Sequence, residues 1–240
     1  MGGEPHLPPA RYAAEMPKPT PTKSARKAPP SRIPADLPLE ADDLTAITRA
    51  ELLAGERLED CCANGLDIAV ESLPELSLSG SILEGVSFAN VTIGRLRCKD
   101  VRFSHCDFSN AVLRGFEARR VEFIDCRLLG AKAAECDWHD VLVERCDASY
   151  LQLNGGKVLT CEFRSSRLDE ADLRGADVTE SVFVDSSLRR AELTGARLKD
   201  TDLRGADIEA ITVGAEDVRG AIVTAAQAMQ LARLLGVVIR

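Results

Sequence analysis

The sequence predicts an all-β solenoid with four flat sides and a short C-terminal capping helix, and three observations predict it. Every fifth residue from Leu53 to Val223 is apolar, through Leu58, Ala63, Ile68, Leu73, Leu78, Leu83, Phe88 and Ile93 to Leu203, Ile208, Val213 and Val218, with no insertion. Like residues also recur at intervals of 20, so that Phe103, Phe123, Phe163 and Phe183 form one column, broken by Val143, and Cys106, Cys126 and Cys146 another. The proline-rich residues 1–37 stand outside the pattern.

The period sets the architecture. Five fits neither a 3.6-residue helix nor a two-residue strand. It fits a coil whose sides each take five residues and point two of them inward, a large one and, two positions earlier, a small one: Ala111, Ala131, Ala171, Ala176, Ala191, Ala196, Ala206, or Ser166, Ser181 and Ser186. Ala171-Asp-Leu-Arg-Gly175 shows the unit plainly. Four sides then make a 20-residue coil, and about eight coils rising ~4.8 Å each give a rod roughly 40 Å long.

Outward positions agree. Asp107, Arg127, Asp147 and Arg167 alternate in sign at the 20-residue spacing, as do Asp137, Lys157, Asp177 and Arg197. Opposite charges therefore face each other on neighbouring coils, like cross-strand pairs in a sheet. Composition fits as well: 45% of residues are hydrophobic but only 4% aromatic, which suits a core of many small layers.

Residues 55–223 resemble the pentapeptide-repeat family. The resemblance implies a right-handed quadrilateral parallel β-helix, the pentapeptide-repeat solenoid. Residues 1–37 read as a disordered Pro-rich tail, because they bury too little apolar surface to offset ordering entropy; the tail is either an inert extension or a tether with a docking motif. Residues 38–54 read as an N-terminal cap and 224–240 as a C-terminal helix and terminal segment. Thr224 with Gln227 is a capping-box pattern, and a helix over 225–235 stops at Gly236. Its residues Met229, Ala232 and Leu235 are expected over the last coil. Met229, Leu235, Val237 and Ile239 are the candidate contact of a homodimer, the alternative being a simple cap.

Between residues 113 and 160 the unit is least regular. Phe116 and Ala118 reverse the small-large order, and Trp138 takes a large inward position between Ala118 and Val158 in its column. Ala118 makes room for Trp138 by volume compensation. A local bulge or irregular coil is expected there.

No feature points to catalysis. Six of the eight cysteines, Cys61, Cys106, Cys126, Cys136, Cys146 and Cys161, take the small inward position and Cys98 the large one, where free Cys behaves as a small hydrophobe. Only Cys62 falls outside the inward set. His105 and His139 point outward while the cysteines point in, so they do not converge as zinc ligands must. The carboxylates are spread over a convex rod, without the cleft that paired acid–base chemistry needs. The expectation is therefore a protein that is not an enzyme and carries no metal or cofactor.

The net charge of −8, concentrated outside the mildly basic tail, disfavours direct nucleic-acid binding. No stretch is long and apolar enough to span a membrane, and no signal peptide is evident, so the chain reads as cytoplasmic. The expected function is a rigid interaction scaffold for a protein partner whose identity the sequence does not give. The family's quinolone-resistance members, acidic rods that mimic duplex DNA and bind DNA gyrase or topoisomerase IV, supply the alternative. Its candidate acidic face is the column Asp100, Asp140, Glu180 and Asp200, interrupted by Arg120 and Thr160. The self-neutralising charge ladders weigh against it.

Overall fold

A computed structural model describes residues 31–38, 43–54, 57–68, 72–234 and 236–238. Within them the chain winds as a parallel β-solenoid. Strand pairs in the body join residue n to residue n + 20: Leu76 to Leu96, Phe103 to Phe123, Val143 to Phe163, Phe163 to Phe183. The longest strands, Leu76–Glu84, Leu96–Ser104 and Glu117–Ile124, build one large sheet. A three-stranded sheet, a two-stranded sheet and single bridges such as Asp107 to Arg127 complete the other sides.

The five-residue unit has a direct backbone cause. In Leu173-Arg174-Gly175-Ala176 the Ala176 N–H donates to the Leu173 carbonyl at 3.0 Å, and Gly175 has φ +65°. A turn closed by that bond with positive φ at its third residue is a type II turn, the arrangement in which Gly is least strained. The same left-handed corner recurs with side chains present, at Asp100, Arg120, Asp140, Glu180 and Asp200 among others. Each non-glycine corner costs about 1–2 kcal/mol. Inter-coil bonds offset it: the Glu180 N–H, for instance, donates to the Lys199 carbonyl of the next coil at 3.0 Å.

Between corners the two inward side chains fill the interior. Phe103 stacks on Phe123 at 5.1 Å and Phe163 on Phe183 at 4.7 Å. Where Val143 interrupts that column, the adjoining side of the solenoid supplies Trp138, 6.0 Å from Phe123 and 5.4 Å from Phe116. Trp138 sits in register with Ala118 and Val158, and both Ala118 and Phe116 are buried. The bulge expected between 113 and 160 is absent: Glu117, Asp137 and Lys157 pair in unbroken 20-residue register, as do Glu122, Leu142 and Glu162. Exchanging small and large residues on one side conserves volume, so the core repacks and the backbone keeps its path.

The small inward positions also bond. Sγ of Cys126 donates to the Phe103 and Ile124 carbonyls, each at 3.3 Å, and Oγ of Ser166 to those of Val143 and Arg164, each at 3.0 Å. The N–H of Cys146 donates in turn to Ser166 Oγ at 3.0 Å. Cys and Ser thus share one column because thiol and hydroxyl make the same contacts. Burial pushes the Cys136 thiol up to about 12 and raises Cys98 and Cys161 as well, which keeps these groups protonated and unreactive. Cys62, half-buried, is the one cysteine outside the core.

Both ends are closed. Helix α1 (Arg49–Leu53) begins with a capping box between Thr48 and Glu51 and places Leu52 fully in the core. Helix α2 (Ala225–Leu234) begins with the expected box: the Thr224 N–H donates to Gln227 Oε1 at 2.9 Å, and the Gln227 N–H to Thr224 Oγ1 at 3.2 Å. Gln227 Nε2 also donates to the Leu203 and Ala206 carbonyls at 2.6 and 2.8 Å, which occupies backbone acceptors at the rod's end. The face laid on the coil is therefore Gln227 and Leu231, both buried, and not Met229, which is 48% exposed. Leu235 and Ile239 lie outside the described residues, as do residues 1–30 of the expected tail and 39–42 of the expected cap.

Candidate interaction edge

The candidate acidic column occupies one corner edge of the rod, with Asp100, Asp140, Glu180 and Asp200 all at left-handed positions. Its two halves differ. Asp100 is buried and bound by Arg120 through two bonds, Nε to Oδ1 at 2.6 Å and the guanidinium Nη2 to Oδ2 at 2.5 Å. Burial opposes its charge, but the Arg120 hydrogen bonds and an N–H from Asp36 outweigh burial and hold the carboxyl below its ordinary value. Asp140 Oδ1 accepts from Thr160 Oγ1 at 2.9 Å. Glu180 is half-buried and Asp200 exposed.

The N-terminal segment accounts for the difference. Residues 31–38 lie against the edge as a strap. The Asp36 N–H donates to Asp100 Oδ1 at 2.9 Å, the Ala35 N–H to Glu122 Oε1 at 3.4 Å, and the Ile33 N–H to Asp140 Oδ1 at 3.1 Å. Three residues of extended chain reach about 10 Å, which matches two coil rises of ~4.8 Å from Asp100 to Asp140. Pro34 falls where no N–H is used, and with Pro38 it limits the entropy lost on seating.

One side chain anchors the strap. Arg32 Nη2 donates to Glu122 Oε1 at 3.1 Å, and Nη1 to the Asp140 carbonyl at 3.5 Å. The Arg32 and Glu122 side chains are only 10% and 7% exposed. Glu122 is held from its other oxygen by Arg102 Nε at 3.0 Å. Leu142, on the same outer face, is 6% exposed although its position points out of the solenoid. Beyond it a groove runs between Ser31, Arg32 and Pro34 on one side and Thr160, Glu162 and Val182 on the other. The expectation of a disordered tail reaching residue 37 thus fails for Ser31 to Leu37, because carboxylates on the rod take up the backbone N–H groups that free chain would give to water.

Elsewhere the expected charge ladders pair along the axis in part, since Asp137 meets Arg119 at 3.2 Å instead of Lys157. Arg127 meets Asp107 at 3.5 Å, Arg167 meets Asp147 at 3.9 Å and Arg197 meets Asp177 at 3.9 Å. Arg145 adds a two-bond pair with Asp125 at 2.8 and 2.9 Å. His105 is exposed at a corner and His139 lies 2.9 Å from Asp137; among the described residues no three metal-ligating side chains gather. No described helix is long and apolar enough to cross a membrane. At the C-terminus Met229, Leu234, Val237 and Val238 are exposed, Val238 by 79%.

Glu122, Arg32 and the strap backbone are the functional candidates that the repeat pattern does not single out. Leu142 shares its outward column with Ile82, Arg102, Glu122, Glu162 and Val182, so its apolar character alone does not single it out.

Comparison with known proteins places these features in context. The family model described as a pentapeptide repeat region matches residues 96–173, and the model described as pentapeptide repeats (8 copies) matches residues 161–208. Among solved structures, the chain is similar to QnrB1, titled a plasmid-mediated fluoroquinolone resistance protein, at 23% identity and a TM-score of 0.39, over 82% of this chain and 97% of that one. It is also similar to HetL from the cyanobacterium Nostoc, titled a pentapeptide repeat protein involved in heterocyst differentiation regulation, at 16% identity and a TM-score of 0.29, over 70% and 87% of the two chains. A sequence comparison with curated proteins finds no match.

Proposed function

We propose that this chain, which belongs to the pentapeptide-repeat family, acts as a rigid, non-enzymatic protein-interaction scaffold. The observation that carries this reading is the strap. One edge of the rod already holds an extended peptide, its own residues 31–38, by carboxylates spaced to meet successive backbone N–H groups. The turns and inter-coil bonds that fix those spacings make the rod a ruler against which a partner segment is read. A photo-crosslinking amino acid placed in turn on each of the four sides tests it in cells: a scaffold gives crosslinks to a defined partner from one side or edge, and no crosslinks, or equal labelling from all four, would contradict it.

The reading as a DNA mimic acting on DNA gyrase or topoisomerase IV has less support. A duplex mimic needs carboxylates left uncompensated along an edge, whereas Asp100 is bound to Arg120 and both Asp100 and Asp140 accept strap N–H groups. A gyrase supercoiling assay is expected to show neither inhibition nor protection across a wide protein concentration range. Inhibition that Asp200→Ala relieves would revive the mimic.

The exposed Met229, Leu234, Val237 and Val238 support a second element of the scaffold, a homodimer contact at the C-terminus, since contiguous exposed apolar groups mark association sites. Sedimentation of the wild type and of Val238→Asp measures this directly. A dimer that the substitution dissociates is expected, and equal masses would remove the contact.

A further inference from the structure

We infer that the edge formed by Asp100, Glu122 and Asp140 is a binding track for an extended, arginine-bearing segment of a partner protein, and that residues 31–37 close this track as a built-in competitor. The inference rests on the scaffold reading and names its site.

Recognition along the edge is mostly of backbone. Ile33, Ala35 and Asp36 are held by their N–H groups, which any extended residue except proline presents. A foreign segment therefore satisfies the same carboxylates without sharing the strap's sequence. Selectivity comes from the arginine. Asp100, Glu122 and Asp140 carry three negative charges, while Arg120 and Arg102 of the rod bind Asp100 and Glu122. Asp140 is left without a guanidinium from the rod, and Arg32 brings one between Glu122 and the Asp140 carbonyl, while the strap's Asp36 lies toward Arg120. A lysine lacks the planar fork that here spans the Glu122 carboxylate and the Asp140 carbonyl.

The strap is an imperfect occupant. Arg32 Nε is buried without a hydrogen-bond partner, so a segment that seats its guanidinium with every N–H satisfied gains a bond that the strap lacks. Displacement also uncovers the groove past Ser31, lined by Thr160, Glu162 and Val182, which offers a longer segment further contact. The strap's advantage is its tether: its effective concentration at the edge is of order millimolar. The track is thus shut to weak, chance peptides and opens to a partner that binds more tightly than the strap.

The test uses full-length protein and a fluorescein-labelled peptide of residues 27–38 as the probe. Wild type should bind it weakly, because the strap already sits on the edge. The full-length variant Arg32→Glu, whose strap is repelled by Glu122, should bind it at least tenfold more tightly in fluorescence anisotropy. Adding Glu122→Gln to that variant, or using the peptide with the Arg32→Glu change, should remove the gain. Amide exchange at Ile33, Ala35 and Asp36 reports in parallel whether the strap has been released, and circular dichroism whether the rod is intact. Equal binding to wild type and variant, or no binding to a folded variant whose strap exchanges freely, would overturn the track. So would a strap that stays protected in Arg32→Glu, since the arginine then does not hold it. A concentration-dependent wild-type dimer that Arg32→Glu dissociates would assign the occupant to a second copy instead of a partner. Any of these results leaves the crosslinking test on the four sides, and with it the scaffold reading, to stand or fall separately.

Discussion

The two halves of the acidic edge carry the same kind of residue at the same kind of corner, yet Asp100 and Asp140 accept N–H groups of the N-terminal segment while Asp200 is exposed, Asp140 being half-buried like Glu180. Backbone geometry does not separate them, because φ is 54° and 57° at the first two and 58° at the third. What separates them is what lies across them: Arg120 and eight residues of N-terminal chain on one half, and at Asp200 a side chain left to solvent. A repeat therefore fixes where a side chain points without fixing what it does.

If the two halves differ only at the surface, the core beneath them should respond alike. Phe123→Ala, under the covered half, and Phe183→Ala, under the bare one, are each expected to cost about 3–5 kcal/mol in urea denaturation. A difference of more than ~2 kcal/mol would mean that the strap supports the packing below it. The next largest effect isolates the edge. Asp100→Ala is expected to cost about 1–3 kcal/mol, because it leaves Arg120 and the Asp36 N–H without their acceptor, whereas Asp200→Ala should stay within about 0.5 kcal/mol of wild type. Equal losses would erase the contrast.

Acid provides a finer probe of the same carboxylate. Asp100 in the fold has its pKa lowered, so it adds stability above its unfolded value, near ~3.9, and that contribution is lost as pH falls through the folded value. The stability difference between wild type and Asp100→Asn should be level from neutral pH to about 4 and shrink below it. A difference that widens in acid would contradict the assignment. The smallest effect is expected on the exposed ladder, where Asp147→Ala should cost under about 1 kcal/mol, and added salt should shrink it further.

The solenoid was legible because its causes are local and repeated. Each inward residue, each turn residue such as Gly175 and each charge in the 107-to-167 ladder obeys a period that side chains display. The expected bulge near Trp138 failed for a reason that a single column does not show: Phe116 and Ala118 exchange volumes on one side, and the neighbouring side brings Trp138 into the gap left by Val143. The strap was illegible for a different reason. Ser31 to Leu37 carries no period, and its contacts are made largely by backbone N–H groups, which no side-chain pattern encodes. The acidic column was visible in sequence. Its occupant was not, because Leu142, the apolar residue that lies beneath it, shares its outward column with Ile82 and Val182.

Amide hydrogen exchange across residues 31–38 of the full-length protein, read at Ile33, Ala35 and Asp36, measures the seated strap most directly. Protection well above random-coil rates is expected at all three, lost together in Arg32→Glu and reduced first at Ala35 in Glu122→Gln. Exchange at random-coil rates in the wild type would mean that the edge is bare, and with it would go the contrast between its two halves.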